Sequence, residues 1–214
     1  QQEWVLEPGD ILYLPPGVAH WGLSQGQCMT YSVGYRAPTE QEMVADFTDY
    51  LLQFMPGHLH YLDPPLELQA SPGEIQPPIF KKVHDRLSHW LSDPTMTRRW
   101  FGCFTTELKG HLVIEPPEQL LDEAQFIARL QQEQMLFHHP FARFAFAKLG
   151  QERIQLFACG QYFEMPVDCD DLAAMLCQST AMEYGQLQPW MKTDAGKFLL
   201  LQLYNLGYLE FENE

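Results

Sequence analysis

Two proline- and glycine-bearing corners near the start of the chain constrain it more than any other feature. Glu7-Pro8-Gly9-Asp10 puts Pro at the second turn position and Gly at the third, as a type II turn requires, because Gly accepts positive φ without a Cβ clash. Ile11 to Leu14 follows as a short apolar strand. Pro15-Pro16-Gly17 then breaks the ladder, since neither proline donates a backbone hydrogen bond, and the chain re-enters extended structure at Val18. His20 lands just past that corner. A neutral imidazole at a barrel mouth, held by rigid turns on both sides, is well placed to ligate a divalent metal. The grammar predicts four barrel strands: Trp4 to Leu6, Ile11 to Leu14, Val18 to Leu23 and Gln27 to Tyr35. On the last, Cys28, Thr30 and Ser32 face one way and Met29, Tyr31 and Val33 the other.

Downstream the periodicity changes to helical. Thr39 and Glu42 form a Thr-x-x-Glu capping box, and a helix is expected from about Glu40 to Phe54. Its stripe is Met43, Phe47, Tyr50, Leu51 and Phe54. Pro56-Gly57 ends it, and a proline-rich connection through Pro64-Pro65 and Pro77-Pro78 follows. His58, His60 and Asp63 lie in this connection, a poor rigid support for a metal. A second helix is expected from about Pro78 to Leu91. A third follows Asp93-Pro94, with Asp93 as cap and Pro94 as first helical residue. Its stripe of Met96, Trp100, Phe101, Phe104 and Leu108 exceeds what three short helices hide internally. Burial against a second copy is one destination, with Trp90, Trp100, Phe101 and Phe104 at the interface; packing inward in a monomer is the other.

Composition shifts again at Glu115-Pro116-Pro117. A helix over Leu121 to Gln134, a polar turn at His138-His139 before Pro140, and strands around Arg143 to Lys148, Arg153 to Ala158 and Gln161 to Glu164 are expected, with Gly150 and Gly160 at the turns. Helices over Asp168 to Gln178, near Glu183 to Met191 and over Thr193 to Leu206 precede a last strand, Tyr208 to Phe211. Thr193 and Asp194 start the long helix, and Asn205-Leu206-Gly207 stops it. This order resembles a winged helix. Between Val167 and Leu206, however, five acids (Asp168, Asp170, Asp171, Glu183, Asp194) face two lysines (Lys192, Lys197). A helix entering the major groove needs cations to meet phosphate, so direct DNA binding is not expected.

Charge points the same way. The 214 residues carry a formal net charge of −15, which repels nucleic acid and attracts basic proteins. No apolar run is long enough for a membrane span, and a cytoplasmic protein is expected. The five cysteines, Cys28, Cys103, Cys159, Cys169 and Cys177, are odd in number and lack Cys-x-x-Cys spacing, so they read as reduced, mainly buried thiols.

Pro-Gly-Asp, a short apolar strand, Pro-Pro-Gly and a following His also resemble the second half of a cupin barrel. The run from Glu7 to Pro38, ending Tyr31-Ser32-Val33-Gly34-Tyr35-Arg36-Ala37-Pro38, is similar to the bacterial JmjC-type ribosomal oxygenases, arginine hydroxylases acting on a large-subunit ribosomal protein. The resemblance implies an α+β chain in three parts: the C-terminal strands of a JmjC/cupin double-stranded β-helix (1–37), a helical dimerisation module (38–114) and a winged-helix-like domain (115–214). It implies iron(II) held by His20 and by a His-x-Asp pair on an earlier strand, and 2-oxoglutarate as cosubstrate, with Thr30 donating a hydrogen bond to its carboxylate. It implies a basic ribosomal protein as partner and a homodimer. No His-x-Asp or His-x-Glu precedes His20, and the chain opens on Gln1. The expectation is therefore a C-terminal fragment that is inactive alone. The alternative is a non-enzymatic regulator, a cupin plus winged helix sensing a small molecule.

Overall fold

The computed structural model describes residues 3–34, 37–65, 67–68 and 70–212. It divides into two compact units, Gln1–Thr39 and Glu40–Glu214.

In the first unit both corners close as local chemistry dictates. Asp10 N donates to Glu7 O at 3.0 Å and Glu7 N to Asp10 Oδ2 at 2.9 Å, with Gly9 at φ +99°. Val18 N donates to Pro15 O at 3.3 Å around Gly17. The runs between the corners are extended, but the four barrel strands expected from Trp4 to Tyr35 do not form among the described residues. A strand is defined by its neighbour's hydrogen bonds, and these runs do not pair with one another. Their apolar side chains face solvent: Ile11 is 96% and Trp21 87% exposed. Tyr35 and Arg36, the end of the expected last strand, lie outside the described residues.

The second unit opens with α1 (Glu40–Leu52), which stops two residues before the expected Phe54. Residues 53–76 are irregular wherever described. Next come α2 (Pro77–Leu91), which buries none of its residues, and α3 (Pro94–Thr106). Asp93 caps α3 as expected, accepting from Thr95 N at 2.8 Å and Met96 N at 3.3 Å.

The expectation that Trp100 belongs to an intermolecular interface is corrected, because its ring is only 5% exposed. It packs at 5.1 Å from the Phe47 ring of α1 and 5.2 Å from Phe104, and its Nε1 donates to Asp46 Oδ1 at 2.6 Å. A buried indole N–H needs such an acceptor, and α1 carries it.

The rest alternates short helices and strands: α4 (Glu123–Glu133), β1 (Met135–His138), β2 (Phe144–Leu149), β3 (Arg153–Ala158), β4 (Gln161–Pro166), α5 (Asp170–Gln178), β5 (Ala181–Glu183), α6 (Tyr184–Leu187), α7 (Asp194–Asn205) and β6 (Leu209–Glu210). Two antiparallel three-stranded sheets result, ordered β5-β1-β6 and β2-β3-β4. Together with the helices they give the α+β, winged-helix-like order expected. The core holds Leu130, Leu136, Leu156, Leu172, Leu200 and Leu203 with the mutually tilted rings of Phe126, Tyr204 and Phe211. Each buried side chain of this size contributes roughly 1.5–3 kcal/mol.

α3 lies directly on β3. A Cβ on Gly102 would stand 2.3 Å from the Phe157 ring, so only glycine permits this approach. Gly160 N donates to the buried Thr106 Oγ1 at 3.2 Å, fixing the far end of α3 at the β3–β4 turn.

Candidate functional site

His20 is exposed, and its Nδ1 lies 3.1 Å from Val18 O. A carbonyl only accepts, so Nδ1 is the protonated nitrogen in this contact and the Nε2 lone pair is left for a metal. Val18 is the residue at which the second corner closes, so the turn supplies the carbonyl that the imidazole contacts. Thr30 is exposed beyond the Gly26 bend, and no hydrogen bond joins it to His20 among the described residues.

The donor set goes no further. Among the described residues no group of three or more His, Cys, Asp or Glu side chains is placed to hold a metal ion. One oriented imidazole is not a metal site, so the described residues do not by themselves fit an iron centre.

The other titratable groups form structural contacts. Arg99 of α3 stacks on the Tyr162 ring with Cζ 4.1 Å from its centroid and reaches Glu164 Oε1 at 3.5 Å, joining α3 to β4. Beside it, burial pushes the Tyr50 hydroxyl up to about 12, and the Cys103 thiol to about 11. Burial likewise raises Cys177 to about 11, so these thiols are not nucleophiles at neutral pH. Cys103 and Cys169 are buried and Cys159 and Cys177 half-buried, whereas Cys28, in the first unit, is exposed.

α7, where a winged helix would present its recognition surface, buries Leu199, Leu200, Leu203 and Tyr204. Its one cation, Lys197, is held by Glu123 at 2.7 Å and Asp194 at 3.1 Å. Those two hydrogen bonds raise its pKa.

Of the expected polar turn at His138-His139, His139 opens the turn, its carbonyl accepting from Ala142 N at 2.8 Å, whereas His138 is corrected. His138 is the last residue of β1, paired with Leu209, and its ring stacks on Phe144 at 4.5 Å. Burial lowers its pKa to about 4, so it is neutral near pH 7. Its position was readable from alternation with the fully buried Leu136, had β1 been recognised.

With this geometry in view, residues 86–210, more than half of the chain, match the ROXA-like winged helix family, and residues 1–43 match the JmjC domain. The chain belongs to the ROXA-like winged helix family. Ribosomal protein uL16 3-hydroxylase of Escherichia coli is 31% identical over 214 residues, covering 97% of this chain and 54% of that protein. A probable ribosomal oxygenase of Haemophilus influenzae is 35% identical over 68 residues, covering 31% of this chain and 17% of that protein. The crystal structure of E. coli YcfD matches with a TM-score of 0.68 at 26% identity, over 84% of this chain and 46% of that one. YcfD in complex with cobalt and 2-oxoglutarate matches with the same TM-score at 25% identity, over 85% of this chain and 48% of that one. The resemblance to bacterial JmjC ribosomal oxygenases is thus borne out. The chain spans about half the length of the E. coli relatives it matches.

Proposed function

We propose that this chain is the metal-ligand and winged-helix portion of an iron(II)- and 2-oxoglutarate-dependent hydroxylase that acts on an arginine of a basic large-subunit ribosomal protein in the cytoplasm. The observation that carries the reading is the His20 imidazole, held through Nδ1 by Val18 O on the segment that matches the JmjC domain. His20 is one iron ligand, and Thr30 donates to a carboxylate of the cosubstrate. The relatives support the substrate class and the metal-plus-2-oxoglutarate pairing, since one is a ribosomal protein hydroxylase and another was solved with cobalt and 2-oxoglutarate. The net charge of −15 suits a basic partner. The buried face of α7 and the engaged Lys197 weigh against DNA and against the regulator reading. No helix among the described residues is long and apolar enough to cross a membrane.

Mass spectrometry tests this directly. The intact enzyme, supplied with iron(II), 2-oxoglutarate and large-subunit ribosomal proteins, should add one oxygen atom to an arginine. The 214-residue chain alone should add none, having one oriented donor. Failure of the intact enzyme to oxidise any ribosomal protein defeats the reading.

The homodimer is proposed on α2, whose Phe80, Val83, Leu87 and Leu91 recur at three- and four-residue spacing and are 61%, 40%, 59% and 49% exposed. An apolar stripe of this kind buries against another surface. Light scattering of the intact enzyme at micromolar concentration should give a dimeric mass that Leu87→Asp halves. A monomeric wild type removes the proposal.

A further inference from the structure

α3 packs on the β2-β3-β4 sheet and α1 packs on α3, and at this seam the contact is not wholly apolar. Among the described residues, four buried side-chain polar atoms lack a hydrogen-bond partner, and three of them belong to the seam: Tyr50 Oη on α1, Arg99 Nε on α3 and Gln155 Oε1 on β3. Buried polar atoms in folded proteins are nearly always satisfied. Three orphans at one seam therefore call for a shared partner.

Register brings the three side chains to one place. Gln155 is 1% exposed and shares its face of β3 with Phe157, whose ring lies under Gly102 of α3. Arg99 precedes Gly102 by one helical turn and so reaches the same face. Its Nη2 lies 3.5 Å from Glu164 Oε1, the oxygen to which Gln155 Nε2 donates at 3.3 Å. Gln155 and Glu164 are direct ladder partners, which fixes that meeting point. The Tyr50 hydroxyl stands within reach of the Arg99 charge but makes no hydrogen bond of normal geometry with it.

The chemistry of the orphans selects what joins them. A carboxylate accepts, so Glu164 holds the Gln155 amide by its Nε2 and leaves Oε1, an acceptor, unused. Arg99 Nε can only donate. Burial pushes the Tyr50 hydroxyl up to about 12, so near pH 7 it keeps its proton and can donate or accept. A cation here would face the guanidinium. An anion would face Gln155 Oε1 and the Glu164 carboxylate. A small neutral molecule that both donates and accepts matches the set.

We propose that the seam holds one ordered water, which accepts from Arg99 Nε, donates to Gln155 Oε1 and shares a third hydrogen bond with Tyr50 Oη. About three bonds to otherwise unsatisfied groups is the usual complement of a buried water. This water ties α1, α3 and β3 together where their side chains do not meet directly. The inference stands apart from the hydroxylase reading, because every residue in it lies in the unit Glu40–Glu214.

A high-resolution crystal structure of the intact enzyme, grown with bromide in place of chloride, tests it. A density peak at hydrogen-bond distance from Arg99 Nε and Gln155 Oε1, without anomalous signal, is the expected result. An anomalous peak there would mean an anion and overturn the proposal. So would a seam with no peak, in which Tyr50 Oη or Gln155 Oε1 bonds Arg99 directly. In solution, the Arg99 Hε NMR signal should show a nuclear Overhauser effect to long-lived water. Gln155→Met, which keeps the side-chain length and removes the acceptor, should lose most of that effect. An undiminished effect in a folded Gln155→Met protein would take Gln155 out of the site and defeat the three-way bridge. Should that variant fail to fold, the wild-type crystal and the wild-type Arg99 signal still decide.

Discussion

His20→Ala in the intact enzyme should lower 2-oxoglutarate turnover by at least about a hundredfold, the size of loss that follows even from disturbing groups that merely orient a ligand. The imidazole is held by one backbone contact, Nδ1 to Val18 O at 3.1 Å, and alanine removes both that anchor and the free Nε2. The stability of the unit Glu40–Glu214 should hardly move. His20 is exposed and lies in the unit Gln1–Thr39, whereas the buried core lies within Glu40–Glu214. An exposed substitution outside a packed core usually changes stability by less than about 0.5 kcal/mol. Turnover by the variant at the wild-type rate would remove His20 from the ligand set. Lost turnover with a parallel collapse of the thermal transition would instead make it a folding residue.

What the sequence made legible is what is decided locally. A type II turn needs its four residues, so the corners around His20 were readable and hold in the structure. Asp93-Pro94 and Thr193 start helices through side chains that reach only a few residues ahead, and both caps form. Strands are decided elsewhere. The runs from Trp4 to Leu23 have strand chemistry but no neighbouring ladder, so they remain extended and exposed. β1 was hidden for the opposite reason. Its four residues continue the apolar pattern of α4, and what ends that helix is Gln134 at φ +64°, a left-handed residue without the usual glycine. Without β1, His138 could be read only as part of a turn, although Leu209, its ladder partner, lies far away in sequence.

Trp100 shows the same limit on helices. Its place in an amphipathic stripe says that it is buried, not against what. Asp46, which accepts its N–H, belongs to another helix. The metal centre stands likewise. One ligand's setting is local and readable, while a ligand set is a tertiary fact that no spacing within the described residues supplies.

The largest single loss of stability is expected from Gly207→Ala, at the end of α7. Tyr208 N donates to Leu203 O at 2.9 Å and Gly207 N to Tyr204 O at 2.8 Å, the paired bonds of a Schellman ending, with Gly207 at φ +77°. Any Cβ there meets the following carbonyl oxygen, at roughly 1–2 kcal/mol. At this position it also meets a neighbouring segment: an added Cβ would stand 2.4 Å from Glu115 O and 3.0 Å from Ile114 Cγ2. Backbone cannot rotate aside as a side-chain tip can. The Glu115 segment must therefore lift from the helix end, loosening the packing of Leu203, Tyr204 and Tyr208, all at least 93% buried. A loss of about 3–4 kcal/mol follows, within the range that overpacking and backbone strain reach together. Gly150→Ala is the matched control, since Gly150 has φ +66° but nothing within 4 Å of the added Cβ. It should lose only about 1 kcal/mol, the strain alone. Urea unfolding of both variants separates the two contributions. Equal midpoints would mean that the segment around Glu115 yields freely and that α7 is not pinned where the structure places it.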